Sequence, residues 1–275
     1  MRTLVVHTGG IGDFLLTGPA LLQLAARGPV ELLGNPARLQ LAVVSGIAVA
    51  ARDIESVDFD SLFHTPSDRL RRFLARFDRC VIWMRDDGTI QRGIRACGVA
   101  KVHAFPGVPP AEWREHASRY FLHCLHIDQA PHFELTVDPS DSLHDVIIHP
   151  GSGSKRKNWP WERFLALAEI LCARDRTVTW CVGPAEQDFL LPRKSAVLRI
   201  DSLVALAREL ASARLYIGND SGITHLAAAV GCRTVAVFGP TDPHVWAPLG
   251  PHVAVAHDTP WPTLEAVIEG MRDEG

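Results

Sequence analysis

VIIHPGSGSKRKNWP, residues 146–160, is the stretch on which the fold turns. The β-branched run at 146–149 predicts a buried strand, the glycine-serine run at 151–154 a turn, and Pro160 the opening of a helix. Phe164, Leu167, Ala168 and Leu171 then recur at the spacing of one helical face. The same order stands at the start of the chain. Leu4-Val5-Val6-His7 reads as a strand and Thr8-Gly9-Gly10-Ile11-Gly12 as a turn. A helix follows from Asp13 to Ala26, with Pro19 a point of kink or restart.

Working outward, short β-branched runs alternate with helical patterns. Strands are predicted at 30–33, 80–83, 178–182, 215–217 and 235–238. Helices are predicted from Leu70, Phe73, Leu74 and Phe77, and from Leu203, Leu206, Ala207 and Leu210. Strands separated by crossover helices imply parallel sheets. The stretch 128–143 breaks the pattern with Pro131, Pro139 and several Asp and Ser residues, and reads as a linker. The expectation is an α/β protein of two Rossmann-like domains, 1–143 and 144–275, with parallel sheets facing across a cleft.

Composition narrows the class. Hydrophobic residues make up 47% of 275, ample for two cores. A formal net charge of −3 argues against a nucleic-acid partner. The six cysteines include no Cys-x-x-Cys pair, so they point to reduced thiols and a cytoplasmic setting. The start of the chain does not read as a signal peptide, and no apolar run reaches the ~20 residues of a membrane helix.

Three loops between a strand and a helix carry the polar chemistry. In the first, Gly10 and Gly12 begin a dinucleotide fingerprint, but Leu15 stands where its third glycine belongs. Asp13 admits two readings, a helix cap or a general base at the lip of a cleft. The second loop joins Ser152, Gly153 and the cations Lys155, Arg156 and Lys157 to a helix start. It suits a diphosphate, which takes turn N–H groups, hydroxyls and a cation. Trp159 and Trp161 read as packing residues. The third loop, Gly218 to His225, puts Ser221 and His225 on one helix face, where His225 serves either the core or a ligand. The adjacent Asp86 and Asp87 lack a third ligand and argue against a metal. Arg69, Arg72 and Arg76 form a basic face on the helix near 68–77, suited to solvent or to an anionic lipid or glycolipid.

Together, GGIGDFLLTGPALLQL at 9–24, HPGSGSKRKNWPWERF at 149–164 and IGNDSGITHLAAAVGCRTVAVFGPTDPHVWAPLG at 217–250 resemble the family 9 glycosyltransferases, the ADP-heptose:lipopolysaccharide heptosyltransferases of GT-B fold. The resemblance spans about the first 25 residues and nearly all of the C-terminal half, whereas the stretch between Ala26 and Leu143 departs from the family pattern. It implies an inverting enzyme without a metal or other cofactor, moving a heptose or related sugar from an ADP-sugar to a hydroxyl of a glycan or glycolipid. Asp13 would be the base. Lys157, Ser152 and Gly153 would line the phosphates, Glu186 the nucleoside, and Asp220, Ser221, Gly222 and His225 the diphosphate and donor sugar. Gly10 and Gly12 are placed on the acceptor side, as is the basic face of Arg69, Arg72 and Arg76 read from the helical spacing, and a peripheral contact with the cytoplasmic face of the inner membrane is a further expectation. A nucleotide-sugar epimerase of this architecture and a non-catalytic nucleotide-sugar-binding protein are the alternative readings.

Overall fold

The structure, a computed structural model of the chain, describes residues 1–183, 190–192, 195–199 and 201–272. It divides into two units, Met1–Phe133 and Glu134–Gly275.

The first unit is an α/β sheet wound from β1 (Thr3–His7), α1 (Ile11–Leu16), α2 (Gly18–Ala25), β2 (Val30–Gly34), α3 (Pro36–Val44), β3 (Ala50–Asp53), α4 (Asp68–Leu74), β4 (Arg79–Trp83), α5 (Thr89–Ala96), β5 (Lys101–Phe105) and α6 (Ala117–Cys124). The strands lie in the order β3-β2-β1-β4-β5, all parallel. Every residue of β1 is buried, as a central strand covered by helices on both faces requires. Leu4, Val6, Cys80 and Ile82 face Leu70, Phe73 and Leu74 of α4 and Ile90 and Ile94 of α5. The helix predicted from Asp13 to Ala26 is two helices. Thr17 ends the first, its hydroxyl donating to the Phe14 carbonyl at 2.6 Å, and Pro19 falls in the first turn of the second.

The helix predicted near 68–77 stops at Leu74. Beyond it, Arg76 lies over the rings of Phe73 and Phe77 and pairs with Glu31. Glu31 is 1% exposed and also pairs with Arg2 and Arg52. Burial pushes its carboxyl pKa upward, but the three guanidinium groups outweigh that and hold it below the usual range.

The second unit repeats the winding through β6 (His144–His149), α7 (Trp161–Cys172), β7 (Val178–Cys181), β8 (Ala196–Leu198), α8 (Leu203–Ala211), β9 (Ala213–Asn219), α9 (Gly222–Ala229), β10 (Thr234–Phe238), α10 (Pro243–Trp246), β11 (Val253–His257) and α11 (Leu264–Gly270). Its order is β11-β10-β9-β6-β7-β8, again parallel throughout. Trp159 is buried in this core, and Trp161 packs on Trp180. Residues 128–143 hold neither helix nor strand. Their later part is fastened to the second unit: the Leu135 amide donates to Ala229, and Ser140 donates to Glu209. The division therefore falls at 133/134, ten residues ahead of the expected 143/144.

Each sheet has a point at which the winding reverses direction, between β1 and β4 in the first and between β6 and β9 in the second. Loops leaving the carboxyl ends of such strands diverge to opposite faces and open a crevice for ligands. The glycine-rich loops read from the sequence leave β1, β6 and β9.

Candidate active site

In the second unit the crevice is built by one side chain. Asn219, fully buried at the end of β9, accepts from the Trp159 amide at 2.8 Å and donates to the Pro150 carbonyl at 2.7 Å. It thereby pins both ends of the 150–159 loop to the β9 loop. Gly218 beside it must lack a side chain, since a Cβ there would meet the Tyr216 hydroxyl at 2.4 Å. Within the loop, Ser152 bonds to the Ser154 carbonyl and to Asn158, both at 2.7 Å, so its hydroxyl holds the loop's shape. Gly153 is exposed, with open space where a Cβ would stand.

Lys157 lies 2.7 Å from the carboxylate of Asp220, and the same oxygen accepts from Thr241 at 2.7 Å. Asp220 is buried and Lys157 half-buried, so the ammonium is held at the edge of the crevice. Ser221 caps α9 by accepting from the Thr224 amide at 3.3 Å. The amides of Gly222 and Ile223 precede the first intrahelical bond, the usual anion-binding position. His225 is buried one turn further on. A cation, a helix N-terminus and a rigid loop thus converge on one crevice, suited to a diphosphate. Glu186 lies outside the described residues.

In the first unit Asp13 is half-buried in the first turn of α1, and its carboxylate accepts from the Gly10 amide at 2.9 Å. Geometry therefore supplies the cap, and the same contact fixes the carboxylate at the rim of the β1 loop. Gly10 is the N-cap and Gly12 lies within α1. Beneath them, Arg38 donates to the Gly9 carbonyl at 2.5 Å. His7 is 2% exposed, packs edge-on against Phe14, and its Nε2 has no partner among the described residues. Burial, with Arg38 adding to it, lowers its pKa from 6.5 to about 4, so the ring is neutral near neutral pH.

The arginines expected on one acceptor-side face do not stay together. Arg69 is exposed, 3.9 Å from Asp58, and Arg72 is exposed. Arg76 lies past the end of α4, near the amino end of β4, and pairs with Glu31. The β1 loop leaves the opposite, carboxyl end of the sheet. Asp86 and Asp87 also have local work. Asp86 accepts from the Ile90 and Gln91 amides at the start of α5, and Asp87 accepts from that of Thr89. Asn219 and Thr241 were not singled out in the sequence. Both stand inside the motif quoted for 217–250, but Thr241 lies 21 residues from its partner Asp220, with no local pattern to join them.

The family model of Glycosyltransferase family 9 (heptosyltransferase) matches residues 125–268, more than half of the chain. The chain belongs to glycosyltransferase family 9. Over 104 residues this family 9 chain is 36% identical to lipopolysaccharide heptosyltransferase 1 of Pseudomonas aeruginosa, a match covering 36% of this chain and 29% of that protein. Over 120 residues it is 30% identical to lipopolysaccharide heptosyltransferase 1 of Escherichia coli, covering 42% and 37%. The matched stretch thus spans less than two fifths of each of these relatives. Among solved structures, the Escherichia coli ADP-heptose lipopolysaccharide heptosyltransferase II superposes with a TM-score of 0.77 at 17% identity, covering 98% of each chain. The family 9 glycosyltransferase from Veillonella parvula gives the same score and identity, covering 100% of this chain and 92% of its own. These likenesses bear out the fold class, an α/β chain of two Rossmann-like units of GT-B type.

Proposed function

We propose that this chain is an inverting, metal-independent glycosyltransferase that moves a heptose or related sugar from an ADP-sugar to a hydroxyl of a glycan or glycolipid such as lipopolysaccharide core. The observation that carries the reading is the β6/β9 crevice, in which Asn219 joins two loops that present Lys157 and the α9 N-terminus. In this reading the acceptor oxygen attacks the anomeric carbon while the bond from that carbon to the phosphate oxygen breaks. The hydroxyl proton passes to Asp13. The electron pair leaves with the diphosphate, whose growing charge is met by Lys157 and the amides of Gly222 and Ile223. Lys157 exchanges Asp220 for the phosphate, and Thr241 keeps Asp220 in place. Glu186 contacts the nucleoside, and Gly10 and Gly12 let the acceptor approach Asp13.

Calorimetry of ADP binding in the presence of a chelator tests the reading. Binding is expected without metal and weaker by about 10- to 100-fold in Lys157→Ala, the loss of a charged hydrogen bond. A metal requirement, or preference for UDP, would refute it. Among the described residues no helix is long and apolar enough to cross a membrane. Contact with the cytoplasmic face of the inner membrane, in this reading, is peripheral and uses Arg69 and Arg72. Sedimentation with anionic liposomes that is unaltered in the Arg69→Ala, Arg72→Ala double variant would exclude it.

A further inference from the structure

The first unit holds an open surface pocket of about 470 Å³ at the carboxyl ends of β4 and β5, rimmed by the exposed Arg85 and Asp87 and outside the residues discussed so far as the reacting centre. Met84, Ala104, Phe105 and Pro106 give it apolar walls, and Arg85 gives it a cation. The walls are fixed. Tyr120 donates to the Pro106 carbonyl at 3.2 Å, and the chain crosses the end of β4 so closely that a Cβ on Gly107 would lie 2.7 Å from the Trp83 carbonyl. Asp86 and Asp87 also line the cavity, but their carboxylates serve the start of α5, and Asp87 is held below its usual pKa first by Thr89 and further by Arg92. Arg85 has no ion-pair or hydrogen-bond partner among the described residues. The cavity therefore offers one uncommitted guanidinium beside an apolar wall.

Its place in the sheet gives this a meaning. β4 neighbours β1, whose loop carries Asp13. Parallel strands lie about 4.8 Å apart, so the space between β4 and β5 is displaced from β1 by on the order of 7 Å, about one sugar ring. We propose that this cavity is an acceptor subsite for the sugar next to the one glycosylated, and that Arg85 binds a carboxylate or phosphate ester on that sugar. Guanidinium groups grip both anions bidentately, and Phe105 and Pro106 suit the C–H face of a ring. Asp87 sets an upper limit on charge, since a second anionic group would lie near its carboxylate. The inference rests on the transferase reading.

Saturation-transfer NMR on the full chain tests it with galacturonic acid, glucose 1-phosphate and neutral glucose as probes, in the parent and in Arg85→Ala. ADP calorimetry on both proteins runs beside it. Expected is binding of one or both anionic sugars to the parent, at least 10-fold stronger than that of glucose. Arg85→Ala should lower it by at least 10-fold and leave ADP affinity unchanged. Which anion binds names the substituent. Failure of both anions to bind, equal binding by the variant, or equal binding of glucose overturns the subsite. Absence of ADP binding in the parent instead overturns the transferase reading, whatever the sugars do.

Discussion

Lowering the pH should loosen the first unit through a single imidazole. His7 is neutral in the folded chain because burial, then Arg38, lowers its pKa from 6.5 to about 4. The unfolded chain protonates it below 6.5. Its contribution is therefore complete above pH 6.5, declines as the pH falls through the interval to about 4, and is exhausted below that. A shift of this size corresponds to about 3 kcal/mol in full, of which about 2 kcal/mol is lost by pH 5.0. His7→Phe keeps a ring against Phe14 and removes the titration. Any cost of the larger ring is the same at both pH values. Urea unfolding of parent and variant, read by hydrogen exchange in peptides of β1 and β4, isolates the first unit from the second. Between pH 7.5 and 5.0 the parent is expected to lose about 2 kcal/mol more than His7→Phe. A difference under about 0.5 kcal/mol would mean that His7 finds a partner or water in solution, and the argument from burial would fail.

Two further outcomes concern the crevices. Asp13→Asn retains an acceptor for the Gly10 amide, so it should fold and bind ADP as the parent does, while transfer falls at least about 100-fold; turnover within a few-fold of the parent would leave Asp13 a cap alone. Asn219→Ala strands the Trp159 amide and the buried Pro150 carbonyl, so chemical unfolding of the second unit should show a loss of about 2–4 kcal/mol with weaker ADP binding; a loss under about 1 kcal/mol would show that water replaces the amide.

The strands legible in the sequence were β1, β2, β4, β6, β7, β9 and β10, which are the interior strands of the two sheets. Among the described residues, the strands not predicted, β3, β5, β8 and β11, are the sheet edges. Interior parallel strands are covered on both faces and read as unbroken apolar runs. The edge strands β3 and β5 meet water and carry polar residues, Arg52 and Asp53 in one and Lys101 and His103 in the other, which dilute the signal; β8 and β11 are short, mainly apolar runs, and polarity does not account for their being missed. The site divides in the same way. Glycines, hydroxyls and cations clustered next to a strand were visible, because local chemistry and local sequence coincide there. Thr241 and the cavity around Arg85 depend on neighbours brought together by the sheet. Helical spacing was extended past Leu74 to Arg76, whose contacts with Phe73, Phe77 and Glu31 depend on the sheet's neighbours as well as on the chain nearby.

The adjacency of β6 and β9 also sets an order in time. Ile147 of β6 lies beside Tyr216 of β9, and Val5 of β1 beside Val81 of β4. Each pairing joins positions about 70 residues or more apart, the kind of contact that forms late because a long loop must close first. During synthesis, at roughly 5–20 residues per second, the loop bearing Lys157 waits several seconds for Asn219 to exist. Until then it has neither its clamp nor Asp220. A refolding chain should pass through a stage in which helices and single strands are present but the crevice is not, so in the proposed reading nucleotide affinity is a late marker of completion in this unit and helix content an early one.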